Sequence, residues 1–317
     1  MTVAAETPVH RSRRRPSRIR HWARASVPYL LILPAIAVIT AILGYPLYEL
    51  VTLSFQQYGL PELIQRTGVW IGFDNYASVL RDDVFWDTLL RTVIFTTATV
   101  GLTMGIGTLI AFLLTRVSSW VRVLLTAGLV LAWSMPAVVA VQVWFWMTNF
   151  QNGILNYVLT EAGVGDYTQH DWYDTTFSKL AMVSLLIVWG AIPFVTITVY
   201  AGLAQVPREL VEAAEIDGAG SLRIFRDVTY PILKPIFLIL TSLSIIWDFG
   251  VFTQPYLLIG ASQLDPSNYL MGVYVFIEAF GQSDFGRGAA ISLLMLVIVA
   301  VLSVFYVRRM VKMGDVR

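Results

Sequence analysis

Six long apolar segments constrain the fold of this chain more than any other feature. Each is about 20 to 29 residues long, and about 20 apolar residues in a helix cross the hydrocarbon core of a bilayer. Such segments fold as helices because backbone groups find no water there. The sequence therefore predicts an all-α polytopic membrane protein with six transmembrane helices. The predicted spans are approximately 27–55, 88–115, 120–147, 180–204, 235–259 and 288–307.

The composition agrees with this class and excludes several others. Hydrophobic residues make up 56% of the 317 positions and charged residues only 14%, which is too little charge to cover a soluble domain of this length. The absence of cysteine excludes disulfides, thiolate metal sites and cysteine nucleophiles. The three histidines, His10, His21 and His170, are scattered along the sequence. We therefore predict no metal site and no catalytic residue.

The basic residues predict the orientation of the spans. About three quarters of the 22 lysines and arginines fall in the segments 1–26, 116–119, 205–234 and 308–317, whereas the alternate loops are acidic. The positive-inside rule explains the arginine-rich N-terminal segment more simply than nucleic-acid binding does. The predicted organisation is a disordered cytoplasmic tail at 1–26, a six-helix domain at 27–308 and a cytoplasmic C-terminal tail at 309–317.

A polar loop, 205–235, interrupts the apolar pattern between the fourth and fifth spans. Pro207 suits the first turn of a helix, and Asp217-Gly218 predicts a tight turn. Ser221 can then cap a second helix. The result is a hairpin of two short amphipathic helices with charged rims. Two interpretations stay open: its apolar faces pack on the protein's own helix ends, or they dock into a groove on a soluble partner.

This hairpin resembles the EAA motif of ATP-binding-cassette (ABC) importer permeases. That motif reads E-A-A-x-x-D-G-A, followed by a spacer with phenylalanine and then by proline. The matching residues here are Glu212, Ala213, Ala214, Asp217, Gly218, Ala219, Phe225 and Pro231. In that family the hairpin is the coupling helix, which sits in a cleft of the ATPase subunit. The resemblance implies that these residues, with Arg223, couple the permease to an ATPase.

Nearly all of the chain after residue 26 is similar to the MalF-like sugar permeases of this family. The similar segments include F-D-N-Y at 73–76 and Y-A-G-L at 200–203. One departure follows the fifth span, where the family often has T-x-G-G-P and this chain has I-G-A-S at 259–262. The resemblance therefore implies a multi-pass bacterial cell-membrane protein that takes part in sugar import, and it leaves the identity of the sugar open.

The partners follow from the same resemblance. The sequence has no G-x-x-x-x-G-K-[ST] phosphate-binding loop, so this chain is predicted to bind no cofactor and not to be an enzyme. ATP and Mg²⁺ then belong to a homodimeric ABC ATPase. The resemblance also implies a second, MalG-like permease subunit and an extracytoplasmic sugar-binding lipoprotein. Membrane lipid is expected around the spans, and nucleic acid is not an expected partner.

Polar and aromatic residues within the spans are the candidates for a solute pathway, because exposing polar groups to lipid is costly. Aromatic faces can stack on sugar rings, and carboxylates and amides can bond sugar hydroxyls. The predicted contacts in the fifth span are Trp247, Asp248, Phe252, Gln254 and Tyr256. Weaker candidates are Gln142 and Trp146 in the third span and Trp189 and Thr196 in the fourth. For Asp248, a structural contact with Arg91 or with the second permease is the alternative.

Further alternatives remain open from the sequence alone. Gly101 and Gly105 form a G-x-x-x-G pattern, which is typical either of close packing within a subunit or of pairing with a second permease. The same machinery can also import a non-sugar solute such as glycerol phosphate or a polyamine. An ion-gradient-driven secondary transporter fits less well, because only Asp248 and Glu278 are candidates for a buried relay and the hairpin would have no role.

Overall fold

This computed structural model describes residues 30–260 and 263–314, with side chains as far as 309. The predicted tail at 1–26 lies outside the described residues, as does the end of the predicted C-terminal tail. The chain divides into two units, Met1–Thr52 and Leu53–Arg317. The first helix begins in the first unit, and every other element belongs to the second.

Helices make up almost all of the regular structure. They are α1 (Leu30–Ser54), α2 (Leu60–Gln65), α3 (Asp74–Leu80), α4 (Asp83–Arg116), α5 (Ser119–Trp133), α6 (Ala137–Met147), α7 (Ile154–Glu161), α8 (Thr176–Leu203), α9 (Arg208–Ile216), α10 (Ser221–Phe249), α11 (Thr253–Ile259), α12 (Met271–Gly281) and α13 (Phe285–Gly314). Two short strands, β1 (Gln56–Gln57) and β2 (Val69–Trp70), pair antiparallel.

The predicted fold class is confirmed. Among the described residues, five helices are long and apolar enough to cross a membrane, namely α1, α4, α8, α10 and α13. The helices α5 and α6 together pass the same test, so that the number of spans is six if this bent pair counts as one. Hydropathy predicts these elements well because a bilayer admits few alternatives to an apolar helix.

The third predicted span, 120–147, is not one straight helix. The chain bends by 101° between α5 and α6, at a short break that ends with Pro136. Pro136 is the N-cap of α6. A proline has no amide hydrogen to donate and disfavours the helical conformation in the residue before it. The break therefore follows from local chemistry, and the segment predicted as the third span is a pair of helices that meet at a bend.

The fifth predicted span, 235–259, is displaced in the structure. Helix α10 begins at Ser221, inside the hairpin, and ends at Phe249. Gly250 is its C-cap, and the residues beyond form the separate short helix α11. The predicted bounds of this span are therefore wrong at both ends.

A π-helical turn allows α10 to continue through its first proline, Pro231. Within this turn, Phe225–Thr229, the chain is wider than an α-helix, and the Tyr230 amide donates to the Phe225 carbonyl five residues earlier. The wider turn relieves the clash that the ring of Pro231 would make with the preceding turn. Pro235 also lies inside the helix. The second arm of the hairpin and the fifth span are therefore parts of one helix.

The contact between α4 and α8 lies in the core of the second unit. A Cβ atom on Gly107 would lie 2.7 Å from Cγ1 of Val195, so only glycine permits this approach. The Thr196 hydroxyl donates to the Gly107 carbonyl at 3.2 Å. Close backbone approach combined with a hydroxyl-to-carbonyl bond is a common way for membrane helices to associate.

A row of threonines covers the buried face of α4. Because its members are three or four positions apart, they share one side of the helix. The row consists of Thr88, Thr92, Thr96, Thr99 and Thr103. Thr92 also accepts a hydrogen bond from the Met271 amide at 2.9 Å, which attaches the start of α12 to this face.

A charged cluster joins the N-terminal end of α4 to α12 and α13. Arg287 pairs with Asp82 and with Glu278, whose carboxylate oxygen lies 2.9 Å from the Arg287 Nε atom. The Tyr274 hydroxyl donates to the Asp82 carboxylate at 3.3 Å. Burial raises the pKa of Glu278 above its ordinary value, although the charge of Arg287 opposes this shift. Glu278, a relay candidate from the sequence, is thus held in an ion pair.

Candidate functional site

An open cavity lies at the bend between α5 and α6, and α8, α10 and α11 form its other walls. Its volume is about 420 Å³, which lies within the range of small-molecule sites. It brings together predicted candidates from two spans, namely Trp189, Trp247, Asp248, Phe252 and Gln254. We call this space the central cavity.

Three aromatic rings form one wall of the central cavity. Trp133 stacks on Phe194 with 5.8 Å between the ring centroids, and Phe194 tilts against Trp247 at 5.5 Å. Trp247 keeps 53% of its surface exposed. Rings at these separations support one another and leave broad apolar faces for a ligand.

Three residues that were not candidates from the sequence also line the cavity, namely Trp133, Phe194 and Thr253. A signal for Trp133 was available, because Pro136 marks a helix break and a residue just before a break can face into the bend. Phe194 and Thr253 had no comparable signal. Their positions depend on how α8 and α11 pack against the bend, which is a tertiary property.

Asp248 is the one charged side chain among the described residues that line the central cavity. It lies in the last turn of α10 and is only 7% exposed. It forms no ion pair within the described ranges. Arg91, the alternative partner from the sequence, instead donates to the carbonyls of Pro266 and Tyr269. Asp248 therefore contributes a carboxylate without an ion-pair partner to the described lining of the cavity.

The predicted candidates in and next to α11 divide between two environments. Phe252 and Gln254 line the central cavity, whereas Tyr256 does not. The Tyr256 ring stacks on Phe252 with 4.9 Å between centroids and lies 5.0 Å from the ring of Phe276. Tyr256 therefore supports the cavity wall from behind through Phe252.

The remaining pathway candidates lie apart from the cavity. Gln142 and Trp146 are exposed on α6 and do not line it. Thr196 is fully buried in the contact between α4 and α8, where its hydroxyl is bonded to the Gly107 carbonyl. The structure does not bring these three residues together with the cavity residues.

The hairpin between α9 and α10 closes with a Schellman motif. The Gly218 amide donates to the Glu215 carbonyl at 3.0 Å, and the Ala219 amide donates to the Ala214 carbonyl at 2.9 Å. These bonds satisfy carbonyl groups at the end of α9. Asp217 is the C-cap, and Gly218 has a φ of 77°, which side-chain-bearing residues rarely adopt. The sequence A-x-x-D-G-A therefore encodes the turn itself.

The helix starts in the hairpin differ by one position from the prediction. Pro207 is the N-cap of α9 and does not lie in its first turn. Gly220 is the N-cap of α10, so Ser221 is the first helical residue and not the cap. Both helices begin without a side-chain capping bond.

The apolar end of the hairpin is exposed. Ile216 and Leu222 keep 87% and 81% of their surfaces, and Leu210 keeps 49%. We call these three residues the hairpin tip. Phe225 instead turns toward the bundle, with its ring centroid 5.5 Å from that of Phe112 at the end of α4. Phe225 thus packs on the protein's own helix ends, which was one interpretation from the sequence. The exposed hairpin tip is the part of the hairpin to which the other interpretation, docking on a partner, can apply.

The other residues of the motif flank the tip. Glu212 borders a second cavity of about 670 Å³ between the hairpin and the ends of α4 and α8. Ala213 is exposed, and Ala214 and Ala219 are partly buried. Arg223 pairs with Asp227 at 3.6 Å, but both side chains are largely exposed, so the pair contributes little to stability.

Apolar helices around an open cavity, with an exposed polar hairpin between two of them, define a subunit of a membrane transporter. The chain belongs to the family described as the binding-protein-dependent transport system inner membrane component, which matches residues 101–311. That range includes the hairpin and the central cavity. The resemblance drawn from the EAA motif is confirmed, and the chain is a permease subunit and not an enzyme.

Individual relatives and structures agree with this family. The diacetylchitobiose uptake system permease protein DasB of Streptomyces coelicolor is 42% identical over 299 residues, which cover 94% of this chain and 91% of DasB. The arabinooligosaccharides transport system permease protein AraP of Halalkalibacterium halodurans is 30% identical over 298 residues, with coverages of 91% and 90%.

Among solved structures, a bacterial ABC transporter involved in the import of the acidic polysaccharide alginate shares the fold. The match has a TM-score of 0.77 at 16% sequence identity and covers 94% of this chain and 99% of that chain. At 16% identity, the match shows a shared arrangement of helices and nothing more.

Proposed function

We propose that this permease imports a sugar or a short oligosaccharide into a bacterial cell as part of an ATP-driven complex. The lining of the central cavity carries the proposal. Trp133 and Trp247 offer flat apolar faces, while Asp248 and Gln254 offer hydrogen-bonding groups beside them. A sugar has this same combination of apolar C–H faces and hydroxyl groups. The names of DasB and AraP, both saccharide transport proteins, support the same substrate class.

Trp189 and Phe252 complete the proposed substrate contacts. Trp189 comes from α8, and Phe252 immediately precedes α11. The two rings therefore line different parts of the cavity wall and can contact the same solute. Tyr256 acts indirectly by holding Phe252 in place. Gln142 and Trp146, exposed on α6, contact the solute on its way in or out of the cavity.

Energy comes from a separate chain in this proposal. ATP and Mg²⁺ bind to a homodimeric ABC ATPase, because the permease sequence contains no phosphate-binding loop. The hairpin tip inserts into a cleft of that ATPase, as an amphipathic helix inserts into a groove. The surrounding motif residues Glu212, Ala213, Ala214, Asp217, Gly218, Ala219 and Arg223 shape and orient this contact. Phe225 fixes the hairpin to α4 through Phe112.

Two further partners complete the transporter. A second, MalG-like permease subunit closes the solute path from the other side, and an extracytoplasmic sugar-binding lipoprotein delivers the solute. The distribution of basic residues supports a cytoplasmic hairpin and cytoplasmic termini, with the tails at 1–26 and 309–317 and the six-helix domain at 27–308. Membrane lipid surrounds the spans.

Transport follows an alternating-access cycle in this proposal. ATP binding draws the two halves of the ATPase together, and the hairpins move with them. The helices then open the central cavity to the outside, and hydrolysis returns it to the inside. The binding energy of ATP thus biases one arrangement of a helix bundle that has two stable arrangements.

Two other functions receive less support from the side chains. A phosphate-bearing solute is expected to meet a cation, and the described lining of the cavity contains none. An ion-gradient transporter requires a relay of buried titratable groups. Glu278 is paired with Arg287 in the charged cluster. Of the two relay candidates, Asp248 is therefore the one that has no ion pair within the described ranges, and a single group does not form a relay.

Uptake of labelled disaccharides by a deletion strain tests the proposal. Trp247→Ala and Asp248→Ala are expected to reduce uptake by about tenfold or more, because both remove groups that hold the solute. The ATPase should still copurify with both variants. Trp120→Ala, an exposed tryptophan at the start of α5, is the control and should transport normally. Unchanged uptake in both cavity variants contradicts the proposed site.

A further inference from the structure

The central cavity carries an unbalanced negative charge. Asp248 is its one ionisable residue within the described ranges, and the rest of the lining is aromatic, aliphatic, glycine or neutral polar. Two arginines of other segments are already paired: Arg91 bonds the carbonyls of Pro266 and Tyr269, and Arg287 pairs with Asp82 and Glu278. From the described part of this chain, a solute in the cavity therefore meets one carboxylate and no cation.

This charge discriminates between solutes. Two like charges less than about 10 Å apart repel each other by more than about 1.5 kcal/mol at the effective dielectric constant of a partly dehydrated site, which is over tenfold in affinity. A neutral sugar escapes the repulsion, because its hydroxyl groups donate hydrogen bonds to the carboxylate oxygens. An ionised uronate or phosphate group cannot donate in this way, so it brings only the repulsion.

We propose that Asp248 makes this permease selective for uncharged sugars and excludes acidic ones. The inference rests on the proposed function, because it refines the sugar site described above. A structurally similar transporter is involved in the import of the acidic polysaccharide alginate, so the shared helix arrangement alone does not set the charge of the cargo.

Direct binding to the assembled transporter tests this inference. The permease pair and its ATPase are purified together in lipid nanodiscs without the binding protein, whose own selectivity would otherwise mask that of the cavity. Binding is followed by quenching of tryptophan fluorescence, since Trp133, Trp189 and Trp247 all line the cavity. The probes are neutral disaccharides, including N,N′-diacetylchitobiose, each compared with the same disaccharide oxidised at C6 to the uronic acid.

The measured quantity is the dissociation constant of the uronic acid divided by that of the neutral disaccharide. In the natural protein the uronic acid should bind at least about tenfold more weakly than its neutral counterpart. Asp248→Asn should reduce this ratio by about tenfold while keeping the size of the side chain. Asp248→Glu should retain the discrimination. Asp174→Asn, which removes an exposed carboxylate outside the cavity, is the matched control and should leave the ratio unchanged.

A second variant tests the inference without altering Asp248. Gln254→Lys places a cation in the same cavity and should lower the ratio by offsetting the carboxylate. Equal ratios in the natural protein, Asp248→Asn and Gln254→Lys overturn the charge selection while leaving the sugar site intact. If no disaccharide quenches the natural protein, the proposed function is overturned together with the inference.

Discussion

Gly107 and Val195 bring α4 and α8 into backbone-level contact: a Cβ atom on Gly107 would stand 2.7 Å from the Val195 Cγ1 atom. Neighbouring atoms at such a distance must move. Because both helices are spans with buried faces, the space for that movement is small.

Gly107→Ala is therefore expected to destabilise the permease by about 1–3 kcal/mol, the usual effect of overpacking a core. The change is measured as a lower midpoint of thermal unfolding in detergent. Gly101→Ala and Gly105→Ala are matched controls on the same helix, because an added Cβ meets nothing within 4 Å at either position. Equal losses in all three variants contradict the special role of Gly107.

A separate prediction concerns the G-x-x-x-G pattern of Gly101 and Gly105 and the pairing of this subunit with a second permease. Their pattern does not serve close packing with the described part of the subunit, since the space around both glycines is open. We expect Gly101→Val with Gly105→Val to weaken copurification of the second permease while the subunit remains folded. The measurement is the ratio of the two permeases in a pull-down. An unchanged ratio places the pairing surface elsewhere.

The turn of the hairpin requires glycine at one position only. Gly218 has a φ of 77°, whereas Gly220 has a φ of −72°, and neither has atoms close enough to oppose a Cβ. Gly218→Ala should cost about 1 kcal/mol, because left-handed backbone is unfavourable for a residue with a Cβ atom. Gly218→Asp tolerates this conformation somewhat better, but it adds a charge beside the hairpin tip.

Import and ATPase copurification should both decrease for the Gly218 variants, most strongly for Gly218→Asp. Gly220→Ala, two positions away, is the control and should behave like the natural protein. Glu212→Lys should likewise abolish uptake, since it reverses a charge beside the hairpin tip without touching the turn. Normal uptake by both Gly218→Asp and Glu212→Lys would remove the hairpin from the coupling mechanism.

The hairpin tip offers a test of docking that leaves the fold unchanged. Ile216→Ser with Leu222→Ser removes two apolar side chains that make little contact with their own chain. The permease should insert normally, and ATPase copurification should fall severalfold because the groove loses its apolar anchors. Ile64→Ser, an equally exposed apolar residue on α2, is the control. Undiminished copurification of the double variant means that the tip does not dock.

The charged cluster at the start of α4 makes a prediction about stability. Arg287→Met leaves Asp82 and Glu278 without their cation and should destabilise the protein by about 3 kcal/mol, since an uncompensated, partly buried charge remains. Adding Glu278→Gln removes one of the two stranded charges and should restore part of the loss. The check is the midpoint of thermal unfolding, and the absence of any rescue indicates that Arg287 acts by packing alone.

The spans, the EAA hairpin and its glycine turn were predictable from sequence because each rests on local chemistry: apolar length, a motif, and a residue that tolerates positive φ. The bounds of the fifth span were not. Pro231 favours a helix start at that position, because proline is common in the first turn of a helix. The π-helical turn that accommodates Pro231 inside the helix cannot be detected from hydropathy.

The central cavity was predictable only in part. Trp247 and Asp248 stand out in sequence because they are polar or amphipathic within an apolar span. Trp133 reaches the cavity through the 101° bend at Pro136, and Phe194 reaches it through the packing of α8 against that bend. Both arrangements depend on tertiary packing. Tyr256, chosen on the same grounds as Trp247, points into an aromatic cluster behind the wall.

Helix α10 has one further consequence. It is 29 residues long, from Ser221 beside the hairpin tip to Phe249 beside Asp248, so at 1.5 Å per residue it forms a rod of about 43 Å. No loop separates its two ends, although the π-helical turn Phe225–Thr229 and Pro235 lie within it. Under the proposed coupling, one continuous helix therefore joins the hairpin to the carboxylate at the cavity.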